Sequence, residues 1–130
     1  MANIRSHREL NVWQESMDAA MEIYKLTKLF PADEKYSLVD QIRRSSRSVA
    51  ANIAEAWRKR RYEAAFRSKL NDSESEACET QTWIEIALRC NYLEKALADR
   101  LDKKYEDIMA KLVIMIRDAN KWTIRGSSTE

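Results

Sequence analysis

Gln41-Ile42-Arg43-Arg44-Ser45-Ser46-Arg47-Ser48-Val49-Ala50-Ala51-Asn52-Ile53-Ala54-Glu55-Ala56-Trp57 holds no glycine or proline, and its side chains recur at helical spacing. Extended back to Leu38, the apolar side reads Leu38, Ile42, Ser45, Val49, Ile53 and Trp57. Steps of three and four place these residues on one face of a helix. Beside that face runs a polar line of Gln41, Arg44, Ser48, Asn52 and Glu55. Ser45, Ser46, Ala50, Ala51, Ala54 and Ala56 are small and let a second helix approach closely. A polar line next to small residues can be a solvated face. It can equally be a hydrogen-bonded seam in which every polar group needs a partner. Periodicity alone leaves both readings open.

The same spacing extends to the rest of the 130 residues. Leu10, Trp13, Met17, Ala20 and Tyr24 form one stripe before this helix, widened by Val12, Ala19, Ile23 and Leu26. Phe30-Pro31 closes that segment, because a residue before proline is pushed out of the helical region. Asp33 can cap the next helix, with Ser37 a later start. Phe66, Leu70, Ser73, Ala77, Thr80 or Gln81, Ile84 and Leu88 form a third stripe, with Asn91 as its left-handed stop. Leu97, Leu101, Tyr105, Ile108, Leu112, Met115 and Ala119 form a fourth. The expected helices are 11–29, 34–60, 63–89 and 94–122, forming an all-α, antiparallel, up-down-up-down four-helix bundle. Residues 1–10 are an N-terminal arm, 11–122 the bundle and 123–130 a flexible tail. One Gly and one Pro cannot supply the turns of a sheet protein or a glycine-rich phosphate loop. No apolar run reaches the ~20 residues of a membrane span, and no signal peptide is evident, so the expected compartment is the cytoplasm.

The net charge is only +2, but the charge is sorted along the chain. From Gln41 to Arg61 there are seven basic residues against one acid, and from Tyr62 to Thr80 five acids against two bases. Arg58-Lys59-Arg60-Arg61, bounded by Trp57 and Tyr62, could neutralise phosphates, dock an acidic protein, or merely complement a helix C-terminus. The candidate nucleic-acid contacts are Arg43, Arg47, Arg58, Lys59, Arg60 and Arg61. Cys78 and Cys90 read as reduced core or boundary thiols, and a lone histidine, His7, makes a zinc site untenable. An enzyme alternative rests on Glu76-x-x-Glu79 and Asp99-x-x-Asp102, two carboxylate pairs of the kind that hold Mg²⁺ in all-α nucleotide pyrophosphohydrolases. Salt-bridged helix surfaces produce such pairs often. The expectation is no catalytic residue, no metal and no cofactor.

The run from Gln41 to Trp57 resembles the bacterial four-helix-bundle proteins encoded in intervening sequences of 23S ribosomal RNA genes. Their architecture is shared with accessory proteins of diversity-generating retroelements. Gln-Ile-Arg-Arg at 41–44, Ser48-Val49 and Asn52-Ile53-Ala54-Glu55 carry the likeness. Glu9-Leu10-x-Val12-Trp13, Phe30-Pro31 and Glu79-Thr80-Gln81 support it. Ala56 stands where the family usually has glycine; it improves helix propensity by ~1 kcal/mol and still permits a close contact. The resemblance implies a ring-shaped homopentamer with basic surface suited to RNA or DNA, and no enzymatic activity. It also favours Gln41, Arg44, Ser48, Asn52 and Glu55 as a structural polar seam, bonded to the third helix or to a neighbouring subunit. A protein partner such as a reverse transcriptase is the rival to nucleic acid.

Overall fold

The computed structural model describes residues 4–124 as helices joined by short connections, with no strand among them. The long helices are α1 (Asn11–Thr27), α2 (Leu38–Arg58), α3 (Glu63–Arg89) and α4 (Lys95–Arg117), followed by the short α5 (Ala119–Trp122). None is long and apolar enough to cross a membrane. The expected bounds of α3 coincide with the observed ones. Those of α1, α2 and α4 are shorter than expected, each for a local reason. Past Thr27 the backbone turns toward Pro31, and Ala32–Glu34 form a single 3₁₀ turn, so α2 begins after Ser37 rather than at Glu34. At Asp118 the helical path breaks, and α5 restarts one residue later.

Asn91 does end α3 as expected. Its φ of 64° is left-handed, and Asn91 N–H donates to Leu88 O at 3.0 Å while Tyr92 N–H donates to Ala87 O at 2.9 Å. Those two bonds satisfy two of the last carbonyls of the helix in a Schellman motif. Tyr92 then ties the two connections at that end together. Its hydroxyl donates to Glu34 at 2.8 Å, its ring packs on Phe30, and the Glu34 carboxylate pushes the phenol pKa up to about 12.

The core lies between the helices and is built from Ile23, Ile42, Val49, Ile53, Phe66, Leu70, Ile84, Leu101, Tyr105, Ile108 and Leu112. Each long helix meets two other long ones, with α2 and α3 packing most extensively. Serine and threonine make that approach possible. Ser45, Ser46, Ser73 and Thr80 are all buried. Ser73 Oγ donates across the interface to Val49 O at 2.7 Å, and the hydroxyls of Thr80 and Ser45 are 2.8 Å apart. Buried hydroxyls without such bonds would cost free energy.

The inner face of α1 is not the expected stripe. Val12, Ser16, Ala19, Ile23 and Thr27 point inward, while Trp13, Met17, Ala20 and Tyr24 are only half-buried. Ser16 and Thr27 are tolerated inside because each hydroxyl bonds a carbonyl of the preceding turn, Ser16 to Val12 O at 2.7 Å and Thr27 to Ile23 O at 2.8 Å. Cys78 and Cys90 are exposed rather than packed. The N-terminal arm is docked from His7 onward: His7–Glu9 form a 3₁₀ turn, His7 meets the Trp13 ring edge-on, and Leu10 is buried. In the expected tail, Ile124 N–H donates to Arg60 O at 3.0 Å; residues 125–130 lie outside the described ones.

The polar line of α2 faces α3 at the surface. Arg44 bridges Glu76, at 3.1 Å, and Glu79, and Lys69 bonds Glu55 at 3.0 Å and Asn52 at 3.4 Å. Glu55 and Arg44 are about half exposed, Gln41 is exposed and Ser48 half-buried. Arg44, Asn52 and Glu55 thus bond side chains of α3 at a partly exposed edge, beside an interface whose buried polar bonds belong to Ser45, Ser73 and Thr80.

Three stability outcomes follow from this packing. Glu55→Leu leaves the melting temperature within about 2 °C of wild type, because exposed pairs contribute little. Thr80→Val, nearly the same in volume, costs ~1–3 kcal/mol by stripping a buried bond. Tyr105 is wholly buried, and its hydroxyl has no hydrogen-bond partner among the described residues. Tyr105→Phe removes an unpaired hydroxyl and is expected to stabilise by ~1 kcal/mol. Thermal and urea unfolding of the three variants measures all of these shifts; an unchanged Thr80→Val would contradict the buried-bond account.

Candidate nucleic-acid interface

The basic cluster occupies the short connection between α2 and α3. Lys59 N–H bonds Ala56 O at 2.9 Å and Tyr62 N–H bonds Lys59 O at 2.9 Å, so the chain reverses within Lys59–Tyr62. Trp57, buried in the core, anchors one side of the turn and Phe66 the other. A reversal this tight leaves little room for the long side chains inside. Arg58, Lys59 and Arg61 stand exposed, and none has a carboxylate partner among the described residues. Arg60 differs from the sequence expectation. Its guanidinium stacks on the Trp57 ring, 3.5 Å from the centroid, and its Nε donates to Trp57 O at 2.9 Å. Burial, and then the neighbouring Arg58 charge, lower its pKa. Arg60 therefore braces the turn.

Arg43 is likewise diverted from the surface. Its Nε donates to Thr27 Oγ1 at 2.9 Å and its Nη2 to Tyr24 O at 3.2 Å, with the guanidinium over the Tyr24 ring at 4.8 Å. It completes the C-terminal turn of α1, where free carbonyls and the helix dipole both favour a cation. Arg47 is exposed and has no carboxylate partner among the described residues. It lies between two depressions. One, about 610 Å³, is lined by Lys35, Tyr36, Val39, Asp40, Arg43, Arg44, Arg47, Ser48 and Ala51. The other, also about 610 Å³, runs between α1 and α2 over His7, Trp13, Met17, Ala20, Met21, Tyr24, Arg47, Ala50, Ala51 and Ala54. Taking the Leu10–Tyr24 stripe as the inward one hid the second groove, because Trp13, Met17, Ala20 and Tyr24 form part of its lining. The offset between the Val12–Ile23 and Trp13–Tyr24 stripes was the available signal. Lys35 and the exposed Tyr36 were missed because they sit on an irregular connection, where periodicity is silent.

The carboxylates of the enzyme alternative do not converge. Glu76 and Glu79 are turned onto Arg44, with Glu79 also accepting from Trp83 Nε1 at 3.2 Å. Asp99 pairs with Lys95 on its own helix at 3.1 Å. Asp102 lies beside Cys78, Gln81, Thr82, Glu85, Ile86 and Arg89 in an open depression between α3 and α4. Burial, and then the charges of Glu106, Asp99 and Glu85, push its pKa up. Among the described residues no three His, Cys, Asp or Glu side chains are grouped to hold a metal ion. Cations thus gather along α2 and its exit, whereas most acids of α3 and α4 are matched by a nearby Lys or Arg.

No curated protein matches the chain. Among solved structures it is similar to a protein of unknown function from the S23 ribosomal protein family of Bacteroides thetaiotaomicron VPI-5482, determined at 1.70 Å. The two are 31% identical with a TM-score of 0.74, over 82% of this chain and 95% of that one. The 23S rRNA-intervening sequence protein family matches residues 8–113, a span that takes in α1, α2, α3 and most of α4. The chain belongs to the 23S rRNA-intervening sequence protein family.

Proposed function

We propose that the protein is a non-catalytic, self-associating module that binds RNA or DNA along the phosphate backbone. In this reading its four long helices run up-down-up-down and the bundles assemble into a closed ring. The number five for that ring comes from the family resemblance. The observation that carries the binding reading is the trio Arg58, Lys59 and Arg61. They are exposed on one tight turn, without a carboxylate partner among the described residues, while the adjacent Arg60 is spent on bracing Trp57. Three free cations at a fixed turn form a phosphate-binding edge, and no groove-reading helix motif accompanies them. Repetition around a ring would multiply weak contacts through avidity. The non-catalytic part of the reading is supported by the engagement of Glu76 and Glu79 with Arg44.

Fluorescence anisotropy with single-stranded RNA, hairpin RNA and duplex DNA tests the binding. At ~50 mM salt the wild type binds with little sequence preference, and the affinity falls steeply as salt rises. Arg58→Gln/Lys59→Gln/Arg61→Gln reduces the salt slope on a single strand by about 2 and weakens binding at least ~10-fold, with mass by light scattering unchanged. Arg60→Gln instead lowers the melting temperature through the lost Trp57 contact. If the wild type binds none of the three nucleic acids, the cluster serves an acidic protein partner.

A further inference from the structure

The groove between α1 and α2 is apolar, open and unfilled by the described residues. Its floor is made of Ala50, Ala51 and Ala54, one wall of Trp13, Met17 and Met21, and Arg47 closes one end. Alanines leave room for the backbone of another helix to come close, and an apolar trough of this kind is costly to leave in water. On the far side of the bundle α4 carries the opposite shape. Val113 and Ile114 are 48% and 49% exposed, Ala110 is exposed beside them, and Glu106 stands one turn earlier on the same face.

The two surfaces match residue for residue. On α2 the outward line is Arg47, Ala51, Ala54; on α4 it is Glu106, Ala110, Val113. Both follow the spacing i, i+4, i+7, which covers about 10 Å along a helix. A parallel alignment that lays Val113 over Ala54 lays Ala110 over Ala51 and Glu106 over Arg47. The charges agree with the shapes. Arg47 has no carboxylate partner among the described residues, and Glu106 meets there only the neutral Gln81 amide, at 2.8 Å. One turn beyond the apolar contact Arg117 would approach Arg58, but it carries the carboxylate of Asp118 with it at 3.0 Å.

We infer that the α1–α2 groove of one copy receives the Glu106–Ala110–Val113–Ile114 face of α4 from the next copy. This rests on the self-associating reading above and names the surfaces that would make it. The two faces differ, so the contact is head-to-tail: each copy offers a groove to one neighbour and a ridge to the other. Such a contact propagates until a ring closes.

Two variants, each disabling one face, provide the test. Ala51→Glu puts a charged, bulky side chain at an exposed groove position; Val113→Glu/Ile114→Glu charges the exposed ridge. Circular dichroism and melting temperature confirm that both fold. Each alone is expected to fall to the mass of one chain, 15.3 kDa, at micromolar concentration. An equimolar mixture forms a species of twice that mass and no larger, because one intact groove meets one intact ridge and the chain of contacts ends there. Arg47→Glu also weakens assembly, and Glu106→Arg in the same chain restores it. A wild type that is itself monomeric overturns the self-associating reading and this assignment together. An oligomeric wild type whose mass survives either face variant, or variants that stay monomeric when mixed, overturns this assignment alone.

Discussion

Close contact between α2 and α3 is the constraint on which the rest of the structure depends. Two long helices can approach closely only where their facing side chains are small, and here Ser45, Ser73, Ala77 and Thr80 are all buried at the contact. Small polar residues bring hydroxyls into a dry interface, and each must find an acceptor. Ser73 finds the Val49 carbonyl, and Thr80 and Ser45 find each other. Those bonds require a specific rotation and register of one helix on the other, which greasy side chains alone would not impose. With α2 and α3 so aligned, Arg44 falls opposite Glu76 and Glu79, and Lys69 opposite Glu55. The surface ion pairs are a consequence of the register more than its cause.

The same alignment explains where the free charges lie. Helix α2 must turn into α3 within Lys59–Tyr62, and Trp57 must stay buried to hold the end of α2. One cation is therefore folded back to cover the indole and three are left in solvent. At the other end of α2, Arg43 is drawn onto the open carbonyls of α1, while Arg47 one turn later stays free. Residues of one charge and one neighbourhood in sequence are thus divided between bracing the fold and facing outward. The division follows from which carbonyl or ring lies within reach.

How much was legible in the sequence varies helix by helix. The C-terminal end of α3 was legible because Asn91 is a conformational stop independent of tertiary context. The start of α2 was ambiguous because Asp33 and Ser37 are both acceptable caps, and packing of the Phe30–Tyr92 end decides between them. The inner face of α1 was misread because Ser16 and Thr27 look like surface residues; a hydroxyl bonded to its own preceding turn counts as nearly apolar in the core. Arg43 and Arg60 looked like members of one basic patch, since charge alone gives no hint of a nearby carbonyl or indole.

By itself the sequence determined the helical class, the number of long helices and the places where the chain turns. Hydrophobic period, proline, glycine scarcity and capping residues act over a few residues and need no knowledge of the partner helix. The family likeness was legible for the same reason, being a run of side chains along one helix. Only the tertiary structure decided which of the two apolar stripes on α1 faces the core, which arginines remain free, and that the polar line of α2 lies at the surface over a hidden set of hydroxyl bonds. Those outcomes depend on the rotation of one helix against another, which changes with a single buried contact and is written nowhere in the spacing of one strand of sequence.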